Sequence, residues 1–406
     1  MPRLRAEGPR RRYPHQIGVG TVLISPLQKR YVADVLRTAR LSYGPYSAAL
    51  ERKFAEAHAR RFAVFCNSGT SALQVAVDAL RNTYRWKPGD EVLVPAATFI
   101  ATSNVVLMAG LKPVFVDIDP CYYEIDPAQI ERHITRRTRA IMPVHLFGQP
   151  CDMRPILEIA RRRRLHVLED SCEAMFVKYR GAPVGSWGEI ACFSTYAAHL
   201  LTTGVGGLAC TNDKDLAVLL KSLCNHGRDG IYTSIDDDKR LRGAAMLRVV
   251  ERRFSFVRQG YSYRATELEA ALGLAQLKTW RETIAERRRN AAYLTNGLRD
   301  LEDRVQLPAI RPHTEHAFMM YPIVLRPGAG SKRDLVFFLE DRNVETRDAF
   351  PLLSQPFYRR LFGPLAARYP VAQWVTQNGF YVGCHPGLTR RELDFIIEQM
   401  HAFFRR

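Results

Sequence analysis

The sequence predicts an α/β fold: a mostly parallel sheet flanked by helices, with a smaller α+β unit after it. Two observations point there. Over the first two-thirds of the chain, short apolar runs alternate with stretches of helical periodicity, as repeated βαβ units require. A long helical pattern at Thr266 to Leu298 then gives way to a separate strand and two helices. At 406 residues, 47% of them hydrophobic and 25% charged, the chain is long enough for two or three domains and can bury a sizeable core.

The elements follow in order. Ala63 to Cys66 reads as a strand, and a helix runs on from Ser71. Glu91 to Pro95 is a strand, Phe99 to Ala109 a helix, and Val114 to Ile118 and Ala140 to Leu146 are further strands. The helix Arg154 to Arg163 leads into the strand Leu165 to Glu169, which ends at Asp170. Strands Ile190 to Ser194 and Leu208 to Thr211 close the first unit. Beyond the long helical pattern come a strand at Phe318 to Leu325, a helix at Lys332 to Asp341 and a final helix at Thr389 to Arg405. The expected organisation is a basic tail over residues 1–20, a large unit over 21–285 and a small one over 286–406.

Composition narrows the function. No run approaches the roughly 18 apolar residues of a membrane helix, and the basic start MPRLRAEGPRRRYP lacks the apolar region of a secretory signal. Eight cysteines are scattered without a C-x-x-C pair, which argues against a zinc ribbon and a disulfide scaffold; free thiols and a cytoplasmic location are expected, and no metal site. The net charge of +18 is spread over short arginine runs. Arg161 to Arg164 follow an apolar helical stretch and read as a solvated helix end. Without interleaved aromatics or a recognisable module, nucleic acid is not an expected partner.

Three clusters carry chemistry. Asn67-Ser-Gly-Thr-Ser71 follows a strand and opens a helix, where glycine permits close approach and free N–H groups favour a phosphate ester. Taken alone it is equally an ordinary capped helix start. Glu169-Asp170 ends an apolar strand, the end at which open α/β sheets bind ligands. A carboxylate there can hold a protonated pyridine nitrogen, or simply cap a helix. Ser194, His199 and the turn Gly204 to Gly207 suggest a second wall for a phosphate pocket, although a lone histidine is more often structural.

In this order and spacing the three clusters resemble the DegT/DnrJ/EryC1/StrS family of sugar aminotransferases. The likeness runs from about Leu41 to Met400 through SGTSAL, PAATFIATSN, PVHLFGQPCDM, VGSWGEIACFS, HGRDG, GYSYRATELEAALGLAQL and GCHPGLT. It implies the type I fold of pyridoxal phosphate enzymes, and a homodimer with shared active sites. Gly69, Thr70 and Ser194 should contact the cofactor phosphate, Phe99 should stack on the pyridine ring and Asp170 should hold its nitrogen. Arg264 should lie near an active site, its own or a neighbouring subunit's, and contact substrate. Ser262 stands where the family commonly has an asparagine that reaches the partner's phosphate.

Two departures set the expected reaction. The family's cofactor-binding lysine is His199 here, and imidazole cannot make that covalent link but can move a proton. Glu173 brings a carboxyl to a place near the ring, in the region where the family has glutamine. Together they resemble the sugar 3-dehydratase branch. Only Cys210, Cys224 and Cys384 follow His199, with no close pair, so the resemblance is to the branch without an iron–sulphur cluster, the GDP-4-keto-6-deoxymannose 3-dehydratase type. The expected chemistry uses pyridoxamine phosphate on a nucleotide-linked 4-keto sugar: His199 takes a proton from the cofactor's C4′ carbon and the C3 hydroxyl leaves. An amino donor such as glutamate would restore the amine form. The alternatives are an aminotransferase using another lysine, Lys178 being nearest in sequence, and a silent relative that only binds cofactor or nucleotide sugar.

Overall fold

The structure is a computed structural model that describes residues 12–230 and 239–405. Among these, seven strands form the main sheet: β1 (Phe62–Cys66), β2 (Glu91–Pro95), β3 (Lys112–Val116), β4 (Thr138–Ile141), β5 (His166–Asp170), β8 (Ile190–Ser194) and β9 (Gly207–Thr211). A small hairpin, β6 (Lys178–Tyr179) and β7 (Ala182–Pro183), interrupts them. The order is β1-β9-β8-β5-β4-β2-β3. The pairs from β3 through β2, β4 and β5 to β8 are parallel, and β9 runs against both of its neighbours. The central strands β2 and β8 are buried at every residue, as helices on both faces require.

A second sheet is antiparallel, in the order β10 (Val305–Gln306), β11 (Tyr321–Leu325), β13 (Gly379–Val382), β12 (Arg347–Asp348). The helix Lys332–Glu340 packs on it, and Arg390–Phe404, started by a reciprocal cap between Thr389 and Glu392, packs against that helix and Trp280–Leu298. Helix Trp280–Leu298 passes between the units: Ile284 belongs to the first core, and Ala291, Leu294 and Leu298 to the second.

Several elements depart from the sequence expectation for local reasons. The helical pattern at Thr266 to Leu298 is two helices, Glu267–Gln276 and Trp280–Leu298, because the chain turns through Lys278 and Thr279. The strand expected from Phe318 begins only at Tyr321, since Phe318 takes a left-handed backbone (φ 48°) and the following methionines turn toward the first unit. The strand expected to reach Leu146 stops at Ile141, and Leu146–Gly148 forms a tight turn with Phe147 at φ 55°. Residues 1–11 of the expected tail lie outside the described residues. Ile17 is fully buried in the small unit's core, where it donates to the Asn343 carbonyl at 2.7 Å.

Candidate active site

The C-terminal ends of the parallel strands deliver the site. Successive residues of a strand face opposite ways, and the pair Glu169-Asp170 uses both directions. Glu169 turns away from the cavity and is fully buried. It accepts from the N–H groups of Gly185, Trp187 and Gly188 at 2.9, 2.8 and 2.6 Å and meets His145 Nε2 at 3.1 Å. Burial opposes its charge, but His145, Arg60 and the Gly188 N–H outweigh it and hold the carboxyl below its ordinary range. Glu169 thus clamps the turn before β8. Asp170 turns into the cavity, where its Oδ2 accepts from Thr102 Oγ1 at 2.8 Å and its Oδ1 from the Cys172 N–H at 3.2 Å. Burial raises its pKa, and those donors oppose the rise.

The cavity has a volume of about 480 Å³. Gly69, Thr70, Phe99, Asp170, Glu173, Ser194 and His199 all line it, so the structure brings seven of the nine expected site residues together. Ser68 opens the helix Gly69–Tyr84 by accepting from the Ser71 N–H at 3.0 Å. Gly69 and Thr70 of that first turn line the cavity, and amides at a helix start have no partner within the helix. Packing here needs glycine: a Cβ on Gly69 would sit 2.6 Å from Ser194 Cβ, and one on Gly207 would sit 2.6 Å from the Gly69 nitrogen. The result is a close cradle of backbone and hydroxyl groups at a helix start, the kind of place that suits a phosphate, and Asp170 stands within the same cavity. These residues fit a pyridoxal-type cofactor.

His199 lies in the turn after β8, and its Nδ1 meets the Cys172 carbonyl at 2.7 Å. That contact makes Nδ1 the protonated nitrogen and leaves Nε2 with a lone pair. Burial pushes its pKa down to about 4, the buried Arg287 guanidinium adding to the effect against the Cys172 carbonyl. Glu173 is buried and accepts from the Phe147 N–H at 2.7 Å. Burial pushes its pKa up to about 8, with Asp170 adding to the rise, so the carboxyl is mainly protonated at neutral pH. The cavity therefore holds a neutral base and a neutral acid together.

This predicts a pH signature for Glu173→Gln. An unfolded glutamate ionises above its model value of 4.5, whereas the folded one keeps its proton until about 8. The wild type should therefore lose stability as pH rises between those values, by up to about 1.4 kcal/mol per unit. The glutamine variant keeps an acceptor for Phe147 and loses that slope, so its stability advantage should grow from pH 5 to pH 8 in denaturant melts. Parallel curves for the two proteins would refute the neutral acid.

Ser262 and Arg264 are not in this cavity. Both are exposed, and Arg264 lines a separate groove with Arg40, Tyr43 and Lys221, donating to Tyr43 Oη at 3.1 Å and Ser262 Oγ at 3.0 Å. Lys178 is exposed on the β6–β7 hairpin, and no lysine lines the cavity among the described residues.

Several residues of the site were not read from the sequence. Thr102 lies in the first turn of the helix Ile100–Met108, and its hydroxyl meets that of Thr98, just ahead of the helix, at 2.9 Å. Met319, Met320, Phe350 and Tyr381 come from the small unit, and no local signal marked them. Arg287, part of an apparent surface run, is buried and donates to the carbonyls of Phe318 and Met319 at 3.2 and 2.8 Å.

The DegT/DnrJ/EryC1/StrS aminotransferase family model matches residues 24–401. The chain belongs to that family. A GDP-perosamine synthase of Caulobacter vibrioides is 37% identical over 94% of this chain and 96% of its own length. A dTDP-4-dehydro-2,6-dideoxy-D-glucose 3-dehydratase of Saccharopolyspora spinosa is 34% identical over 90% of this chain and 81% of its own. Among solved structures, E. coli GDP-4-keto-6-deoxy-D-mannose-3-dehydratase with bound hydrated PLP superposes with a TM-score of 0.85 at 25% identity, over 95% of this chain and 100% of that one. The family member described here thus has both aminotransferases and dehydratases among its relatives. It carries histidine where the sequence expects the family's lysine.

Proposed function

We propose that this family member is a pyridoxamine/pyridoxal phosphate enzyme that removes the C3 hydroxyl of a nucleotide-linked 4-keto sugar. One observation carries the reading: among the described residues no lysine lines the cavity fitted to the cofactor, and a histidine with a lowered pKa and a carboxylic acid with a raised one line it together. When bound, the cofactor would supply an electron sink that disperses the charge left when a proton is removed at the reacting centre.

The chain's residues do the rest. Gly69, Thr70 and Ser194 bind the phosphate, and Phe99 covers a ring face. Asp170 is held by Thr102 and Cys172 and keeps the ring nitrogen protonated. His199 Nε2 takes and returns a proton, with its Nδ1 proton fixed on Cys172 so that the ring cannot reverse its roles. The Glu173 O–H can hydrogen-bond to the departing C3 oxygen and ease its loss. Met319, Met320 and Phe350 exclude water over the reacting face.

Ser262 and Arg264 act in this reading on the pocket of a second copy, in a homodimer. Supporting this are their exposure away from their own cavity and the exposed apolar residues Val22, Leu23, Ile24, Leu36 and Leu41 on the same chain. An amino donor such as glutamate restores the amine form. The eight unpaired thiols fit a reducing compartment, in this reading the cytoplasm, and no described helix is long and apolar enough to cross a membrane. The identity to a GDP-perosamine synthase favours an aminotransferase as the second reading.

The readings separate on how the cofactor is held. Borohydride treatment followed by denaturing mass spectrometry should return unmodified protein. A stable cofactor adduct on any lysine, Lys178 included, would falsify the proposal in favour of aminotransfer.

A further inference from the structure

Opposite the cavity, at the N-terminal edge of the main sheet, lies a basic groove of about 600 Å³. It forms where β2, β4 and β5 begin and where the helices Gly69–Tyr84 and Met153–Arg163 end. Six cationic side chains line it, Arg85, Lys87, Arg136, Arg139, Arg163 and Arg164, against one carboxylate, Asp90. Asp90 pairs with Arg139 at 2.9 Å, and Glu131 with Arg163 at 3.0 Å. The other four have no acidic partner among the described residues. Like charges gathered in a concave site repel one another and concentrate anions there.

Helix ends account for only part of this. A cation near a helix C-terminus complements the dipole, and one or two suffice. Arg85 and Arg164 also close their helices in left-handed backbone, at φ 54° and 55°, where glycine or asparagine is the usual residue. Nothing in the backbone asks for arginine at either position, yet both side chains line the same groove.

An aromatic surface stands beside the charges. Tyr84 is 42% exposed. One face of its ring is stacked on His166 with centroids 3.8 Å apart, and its hydroxyl is anchored on Glu189 at 2.8 Å. His166 Nδ1 meets the same carboxylate at 2.5 Å. The tyrosine ring is thus held on one face in a residue that stays exposed. Guanidinium forks match phosphate oxygens, and a fixed aromatic face accepts any planar base.

We propose that this groove is a second ligand site that binds a nucleoside polyphosphate, with the phosphates among Arg85, Lys87, Arg136 and Arg164 and the base on Tyr84. The site shares no residue with the cofactor cavity and does not depend on the reaction assigned there.

The test is calorimetric titration of the cofactor-saturated protein with ATP as the probe and inorganic tripolyphosphate as its ring-less counterpart. Wild type should bind ATP saturably, with an affinity that falls as salt is raised. Arg85→Glu/Arg136→Glu/Arg164→Glu should bind it at least about tenfold more weakly, each lost charge-assisted contact being worth about that factor. These side chains are exposed, so the variant should fold, with a matching thermal melt as the check and Arg136→Glu alone as the milder variant. Tyr84→Ala should lower ATP affinity toward that of tripolyphosphate and leave tripolyphosphate unchanged. Equal ATP binding by wild type and the triple variant would overturn the site. Arginine-dependent binding of phosphatidylglycerol vesicles or of a single-stranded oligonucleotide, without ATP binding, would overturn it too, by assigning the groove to a membrane or a nucleic acid.

Discussion

His199→Asn is expected to abolish loss of the C3 hydroxyl while leaving the cofactor bound. Asparagine can keep a hydrogen bond to the Cys172 carbonyl but has no lone pair basic enough to take a proton. General acid–base groups contribute about 10² to 10⁴ in rate, and this variant removes the group at the reacting centre. The wild type should lose activity as pH falls through about 4, where His199 gains its proton, and again as pH rises through about 8, where Glu173 loses its own. In kcat/KM these limbs belong to the free enzyme, and Glu173→Gln should erase the alkaline one. His199→Lys adds a discriminating arm: a lysine there can link to the cofactor and divert the enzyme toward transferring an amino group to C4. Wild type and both variants would be incubated with a 4-keto sugar nucleotide and glutamate, and the sugar products identified by mass. A wild type that yields a 4-amino sugar with its C3 oxygen retained would show that the dehydratase reading is wrong.

Asp170→Asn should lower turnover by orders of magnitude with the fold intact. The change is nearly isosteric, and the acceptor oxygen can keep the Thr102 hydroxyl. What it removes is the anion that holds the ring nitrogen protonated, and with it most of the electron sink. A thermal melt close to wild type alongside the lost turnover separates chemistry from folding. Near-normal activity would sink the role given to Asp170. Thr102→Val should produce a weaker defect of the same kind, because a hydrogen bond to a charged group contributes roughly 1.5–3 kcal/mol.

Much of the fold was legible because its signals are local. The buried runs Phe62–Cys66, Glu91–Pro95 and Ile190–Ser194 are short, apolar and bounded by polar turns, so periodicity and length find them within a residue or two. The direction of β9 was not legible: a buried strand reads the same whether it pairs parallel or antiparallel. Nor was the start of the strand after Met319 and Met320, since those apolar residues extend the pattern backwards although they lie outside the sheet and line the cavity.

The site divides along the same line. Gly69, Thr70, Asp170 and Ser194 sit at strand ends and a helix start that local pattern marks in the sequence, and with His199 from the turn after β8 they line one cavity. The sequence also carried the histidine at position 199, and with it the question of which reaction follows. Only the tertiary structure decided how Glu169 and Asp170 part, one clamping a turn and the other entering the cavity. The same packing pushes the Glu173 pKa up and the His199 pKa down. It brings Met319, Met320, Phe350 and Tyr381 over the site from about 120 to 280 residues farther along the chain than His199, Phe99 and Asp170. It sends Arg287 inward from a run of three arginines. The reason is physical: a protonation state and a cavity wall depend on what surrounds a group in space, and burial and long-range contact leave no mark on local spacing.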